Sequence, residues 1–145
     1  TVIVVDSTRL ERNLNLVLQV LEITDHAVIC LNLADEARRN NLQIDERCLA
    51  RDLGVPVVPT AARSGEGLPE LLQAISNVAR GQLNCKPHRI QSKSLSIEHA
   101  LSKLATQVEA AFPGLLNTRW VALRLLDGDP RIAEAIQQGE IGNLE

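Results

Sequence analysis

The chain has 145 residues, 45% of them apolar and 23% charged, with a net charge of −3. That is enough apolar residue for a packed core, while the acidic balance, the lack of any Lys/Arg run and the presence of only one Trp, one Phe and no Tyr exclude broad electrostatic binding to nucleic acid and stacking platforms for single strands. Cys30, Cys48 and Cys85 are widely spaced and fit a reducing compartment better than a disulfide framework, His26, His88 and His99 lack metal-ligand spacing, and no apolar stretch approaches the ~20 residues of a membrane-spanning helix.

In chain order, Val2 to Val5 is a continuous β-branched apolar run, the pattern of a parallel strand covered on both faces. Asp6-Ser7-Thr8 breaks it, and Thr8 with Glu11 has capping-box spacing. Leu10, Leu14, Val17, Leu18 and Leu21 recur at helical intervals and predict a helix over 9–22. Ala27 to Leu31 reads as the second strand, and residues 34–40 as a short polar helix. Asp45 to Leu53 reads as another helix, capped by Asp45 and stopped by Gly54. Val55 to Val58 is a third strand, and Pro56 confines it to an edge or makes it a strand start. The stretch 59–67 is a loop, and Leu68 to Arg80 a helix with Leu71, Leu72, Ile75 and Val78 on one face. Strand and helix thus alternate three times over residues 1–81, the signature of an α/β domain with a parallel sheet.

After Gly81 the pattern changes. Residues 81–94 are polar and read as a linker. From Ser96 onward only helical periods appear. Ile97, Leu101, Leu104, Val108 and Phe112 share a face that ends at Pro113-Gly114. Trp120, Leu123, Leu125 and Leu126 mark a second helix, ended by the segment 127–130, and Arg131 to Gln138 a short third. The expected division is therefore an α/β part over 1–81 and an all-helical part over 82–145. The opening directly on a strand pattern is expected of the second half of a fold, and the closing Leu144-Glu145 of a cloning remnant.

In an open parallel sheet, ligands bind beyond the carboxyl ends of the strands. Three loops leave those ends: Asp6-Ser7-Thr8, Asn32 to Asp35, and Thr60 to Arg63. Guanine presents N1–H and its 2-amino group as adjacent donors, which one ionised carboxylate, Asp35, can accept together. Adenine offers no such pair. Guanine O6 needs a donor, which the backbone N–H of Ala62 can supply, and Asn32 can bind the loops together and approach the N7 edge. Such a site discriminates by roughly 10⁴-fold, because the wrong base leaves buried polar groups unpaired. Alone, Asn32 ends a strand and Asp35 caps a helix. Alone, Ala61-Ala62-Arg63 is an ordinary turn. Their recurrence one βα unit apart favours base recognition.

The segments "NLAD" and "TAARSGEGLPELLQAI" resemble the fourth and fifth motifs of translation-factor-type GTPases. "VVDSTRLERNLNLVLQVLE", "LGVPVVPTAARSGEGL" and "RWVALRLLDGDPRI" are more specifically similar to the ferrous iron transport protein B family, over residues 2 to about 132. The resemblance implies the C-terminal half of a P-loop GTPase-type parallel sheet, three strands with helices, followed by a small all-helical domain. It implies Asn32 and Asp35 as the guanine-reading pair, Leu33 where many GTPases carry a Lys whose stem lies along the base, and Ala61, Ala62 and Arg63 as the fifth-motif loop, with Ala61 where Ser is common. These departures imply fast nucleotide exchange.

No G-x-x-x-x-G-K-[ST] and no D-x-x-G precedes these motifs in the chain. Catalytic residues and metal ligands are therefore not expected here. GTP or GDP, and the Mg²⁺ that goes with it, are expected for a parent protein whose N-terminal half carries the phosphate contacts. The chain alone is expected to be inactive. The expected partners are guanine nucleotide, the missing half of the GTPase domain or a self-associated copy, and the transmembrane part of the same transporter at the cytoplasmic face of the membrane. The β1 edge would otherwise be a bare apolar pairing site. The alternative is an interaction fragment that binds a partner and no nucleotide. A ribosome-associated GTPase is disfavoured by the helical tail and the acidic balance.

Overall fold

The computed structural model describes residues 1–89, 94–115 and 117–141. They form two compact units, Thr1–Ile90 and Gln91–Glu145. Part of the expected linker, residues 90–93, and the closing Leu144-Glu145 lie outside the described residues.

The first unit is a three-stranded parallel sheet in the order β1 (Val2–Asp6), β2 (Val28–Asn32), β3 (Val57–Pro59). β1 and β2 pair in register from Val2 with Val28 to Asp6 with Asn32, and Leu31 pairs with Pro59. All three carboxyl ends therefore open on one edge, as a parallel sheet requires. Pro56 lies just before β3, where its carbonyl still accepts from Ile29 N–H at 2.8 Å.

β1 leads through a 3₁₀ turn, Ser7–Arg9, into α1 (Leu10–Ile23). The Thr8–Glu11 capping box is not formed. Asp6 Oδ1 instead accepts from both Thr8 N–H and Thr8 Oγ1 at 2.7 Å, so Thr8 is spent in the 3₁₀ turn one step before α1 begins. α2 (Ala34–Arg39) and α3 (Glu46–Leu53) follow β2. Asp45 caps α3 by accepting from Cys48 N–H at 2.8 Å, and Gly54 closes it in the left-handed conformation, as expected. α4 (Leu68–Ala79) completes the unit.

Because side chains alternate along a strand, the sheet buries two cores. Ile3, Val5, Ile29 and Leu31 pack on one face with Val17 and Leu21 of α1 and with Leu53. Val28 and Cys30 pack on the other with Leu71 and Val78 of α4. β1 departs from expectation: it is covered on one face only, since Val2 and Val4, which lie beside Val28 and Cys30, are 41% and 60% exposed. α4 packs over β2 and β3.

Residues 83–89 are read as linker from their composition, yet residues 85–89 form a strap across the first unit. Lys86 N–H donates to Gly54 O at 2.9 Å and His88 N–H to Leu53 O at 3.2 Å. Arg89 pairs with Asp25 at 2.6 Å, and Cys85 packs against both cores. The strap runs so close to α3 that a Cβ on Gly54 would overlap the Lys86 carbonyl oxygen.

The second unit holds α5 (Leu95–Ala111), α6 (Thr118–Leu126) and α7 (Pro130–Gln137). α5 and α6 pack through Leu101, Val108, Val121 and Ala122, and a two-bond ion pair joins Arg119 to Glu98 at 3.1 and 3.2 Å. Asp129 caps α7, accepting from Arg131 N–H at 3.0 Å. No helix of the described residues is long and apolar enough to cross a membrane.

Candidate functional site

Asn32 is the last residue of β2, and three neighbours fix it. Ser7 Oγ, from the turn after β1, donates to its backbone carbonyl at 2.6 Å. On its side chain, Oδ1 accepts from Ala62 N–H at 3.1 Å and from Thr60 Oγ1 at 3.4 Å. Both bonds to Oδ1 come from donors, which settles the amide's orientation: Oδ1 turns inward and Nδ2 is left to donate outward. An outward donor matches N7 of a purine, an acceptor.

Leu33 follows with φ +61°, ψ +30°, a left-handed conformation uncommon for any residue but glycine. The turn is held by Ala34 N–H donating to Thr60 O at 3.0 Å, and by Leu33 O accepting from Glu36 and Ala37 N–H at 3.0 Å. It delivers Asp35 into the first turn of α2 at the sheet edge. The Asp35 side chain, a third exposed, meets Arg39 Nη2 at 2.6 Å. Partial desolvation alone would push its carboxyl up; the Arg39 hydrogen bond and charge outweigh that and hold it below the usual carboxylate range. Asp35 is therefore ionised, the form that accepts two donors at once.

The loop after β3 is shaped by its own bonds. Ala61 is buried and its N–H donates to Glu66 O at 2.9 Å, while its carbonyl accepts from Ser64 N–H and Oγ at 3.0 Å. Gly67 closes the loop at φ +77°, where a Cβ would overlap Pro59 O. Arg63 is exposed on this loop. Arg38 joins the two loops from outside: Nε donates to Ala34 O at 3.2 Å and Nη2 pairs with Glu66.

Asn32 and Ala62 thus come together as sequence reasoning expects, and Leu33 and Asp35 sit in the same turn. One detail differs. The Ala62 N–H that guanine O6 calls for is donated to Asn32 Oδ1, so binding there requires an exchange of partners. Sequence reasoning put Ser7 and Thr60 in the loops at this edge but gave their side chains no part in base reading, and it missed Arg38, Arg39 and the pairing of Glu66. Arg39 was findable, because it stands four residues after Asp35 on a helix. The part of Thr60 was not, because nothing in a sequence marks a threonine as buried.

A cavity of about 300 Å³ opens nearby, lined by Leu31, Ala37, Leu42, Ile44, Arg38 and Glu66. It lies on the Leu31 face of the sheet, whereas the Asn32 side chain reaches the Cys30 face. Among the described residues, no group of three His, Cys, Asp or Glu side chains could hold a metal ion.

Residues 1–75 match the family model of ferrous iron transport protein B, and residues 94–144 match that of the FeoB cytosolic helical domain. The Fe(2+) transport protein A/Fe(2+) transporter FeoB fusion protein of Porphyromonas gingivalis is 39% identical over 129 residues, 87% of this chain and 15% of that protein. The Fe(2+) transporter FeoB of Escherichia coli is 33% identical over 126 residues, 87% of this chain and 16% of that protein. The chain thus spans about a sixth of the curated relatives it matches.

Among solved structures, the cytosolic domain of L. pneumophila FeoB superposes with a TM-score of 0.76 at 29% identity, covering 99% of this chain and 54% of that one. The cytosolic domain of T. maritima FeoB in its GMPPNP form gives a TM-score of 0.79 at 30% identity, covering 95% and 55%.

Proposed function

The chain belongs to the ferrous iron transport protein B family, and from that membership we propose that its first unit is the guanine-reading half of a GTPase domain. The observation that carries this reading is the shared sheet edge. There Asn32 turns a donor outward, Asp35 is an ionised acceptor paired with Arg39, and the Ala61–Gly67 loop is bonded to Asn32 through Ala62 N–H and, through Arg38, to the Ala34 carbonyl beside Asp35. This donor and acceptor set fits guanine and clashes with adenine, which would put an amino group where O6 should accept. The T. maritima relative, solved in GDP and GMPPNP forms, supports the same reading.

The chain offers base contacts but carries no phosphate-binding loop sequence. Phosphate and Mg²⁺ contacts would come from another part of the parent protein, and no phosphoryl transfer is assigned to this chain. Guanine binding by the chain alone is weak and exchanges fast, since neither phosphate contacts nor a Lys at position 33 hold the nucleotide. The place of β1 at the edge of the sheet supports pairing with strands from the rest of the GTPase domain, or with a second copy, and the exposed Val2 and Val4 support a further element covering that face.

In the parent, a ferrous iron transporter, the cytosolic unit would pass its nucleotide state through the helical unit to the membrane part. The reading in which the chain binds a partner and no nucleotide is favoured by one observation: Ala62 N–H and Asp35 already have internal partners. Isothermal titration with GDP separates the two. Heat that saturates at millimolar GDP supports guanine reading, and none at any concentration supports the interaction fragment.

A further inference from the structure

Thr60 is fully buried, at 0% exposure, and is one of only two buried polar residues among those described. Its hydroxyl lies 3.1 Å from Cys30 Sγ and 3.4 Å from Asn32 Oδ1. A hydroxyl has one proton and two lone pairs. If the Thr60 proton goes to Asn32 Oδ1, which can only accept, the Cys30 thiol donates to Thr60 in turn. The chain of donors then runs Cys30 S–H to Thr60 O–H to Asn32 Oδ1, and Ala62 N–H joins the same oxygen from the loop.

Asn32 Oδ1 therefore has two donors of unequal standing. The Ala62 bond, at 3.1 Å, is of ordinary length, whereas the Thr60 bond, at 3.4 Å, is long for an O–H donor. Guanine O6 needs the Ala62 N–H. Taking it away would leave Asn32 Oδ1 without a partner, were there no second donor in place.

We infer that Thr60 is a positioning residue for guanine recognition: its buried hydroxyl takes over Asn32 Oδ1 when Ala62 N–H turns to guanine O6, so that Asn32 keeps its orientation through the exchange. This rests on the guanine reading of the site. It assigns the buried Cys30–Thr60 pair a role in base binding beyond packing. The Thr60 hydroxyl acts on O6 recognition through Ala62 and leaves Asp35, which reads N1–H and the 2-amino group, untouched.

The test compares three nucleotides on the 145-residue chain, followed by ¹⁵N NMR titration. Inosine diphosphate lacks the 2-amino group and so reports Asp35. 6-Thioguanosine diphosphate replaces O6 with a poorer acceptor and so reports Ala62. Thr60→Val, similar in shape but without the hydroxyl, should weaken GDP binding about tenfold, the loss of one hydrogen bond to a buried group. The preference for GDP over the 6-thio analogue should shrink towards one, while the preference over inosine diphosphate stays as in the unaltered chain. Thr60→Ser should restore both.

Equal loss of both preferences, or no change in either, would overturn the role, since a merely structural effect would not single out O6. If the unaltered chain shows no GDP-dependent shift at all, the guanine reading fails and the role fails with it. Should Thr60→Val not fold, the unaltered chain decides. With GDP the Thr60 hydroxyl proton should move downfield as its bond to Asn32 shortens, and an unmoved proton beside a shifted Ala62 amide would overturn the proposal.

Discussion

Arg39 clamps Asp35 at two points, donating from Nη2 to its Oδ2 at 2.6 Å and from Nε to its backbone carbonyl at 3.3 Å. The carboxylate is thereby turned and charged before any base arrives. Its folded pKa lies below the ordinary Asp value of about 3.9. A depressed pKa contributes stability that is present above the unfolded value and lost as pH falls through the folded one. Guanine contact should follow the same window. GDP-dependent shifts at Asp35 should persist as pH falls into the ordinary Asp range and vanish only below it. Arg39→Ala should move that loss to higher pH. A ¹³C titration of the Asp35 carboxyl with and without GDP checks both.

Asp35→Asn replaces one acceptor oxygen by a donor. Guanine's adjacent donors would then meet a donor, while xanthine, with N1–H beside a C2 carbonyl, would match. The variant should lose GDP by at least tenfold and prefer xanthosine diphosphate, measured by competition in the same NMR titration. A variant that still prefers GDP would remove Asp35 from the recognition scheme.

Asn32→Ala removes the shared acceptor between the two loops. Ala62 is exposed and can turn to water, and Thr60 keeps Cys30 as partner. The cost to folding should stay near that of one hydrogen bond, about 1 kcal/mol, or a few degrees in thermal unfolding. The GDP-induced shift of Ala62 should disappear altogether. The split between small stability loss and complete loss of response identifies Asn32 as a recognition residue.

Leu33 stands at a left-handed φ of +61°. Leu33→Val puts a β-branched side chain there and should lower the melting temperature. Leu33→Gly should leave it nearly unchanged, because relief of strain worth about 1 kcal/mol offsets the greater freedom glycine has in the unfolded chain. Leu33→Lys, whose stem can lie along the base, should slow GDP release in stopped-flow displacement. A valine variant as stable as the glycine one would contradict the conformation.

The strap over α3 gives a separate check on the fold. Gly54→Ala would drive a methyl group into the Lys86 carbonyl and lift residues 85–89. Cys85 is half-buried, and burial pushes its thiol above the usual range, so it should label slowly in the unaltered chain. In Gly54→Ala it should react markedly faster with a thiol reagent, read by mass spectrometry, while the buried Cys30 stays protected.

Much of this was legible in the sequence. Leu10, Leu14, Val17, Leu18 and Leu21 announce α1, and Val28 to Leu31 announces β2, because periodicity records burial directly. The Asp45 and Gly54 signals bounded α3, because capping chemistry is local. What escaped was long-range. Arg38 and Glu66 are 28 residues apart, and two exposed charges carry no signal of their pairing. The strap was hidden because a polar segment can still lend its backbone N–H groups to Leu53 and Gly54. The exposed face of β1 was misjudged because four apolar residues in a row look the same whether one face or two are covered.

The most direct test of the central claim is a ¹⁵N–¹H titration of the unaltered chain with GDP and, in parallel, ADP. Guanine reading predicts saturable GDP-dependent shifts at Leu33, Asp35 and Ala62 and in the Asn32 side-chain amide, with none from ADP at the same concentration. Identical responses to both nucleotides, or shifts confined to residues away from these two loops, would contradict it.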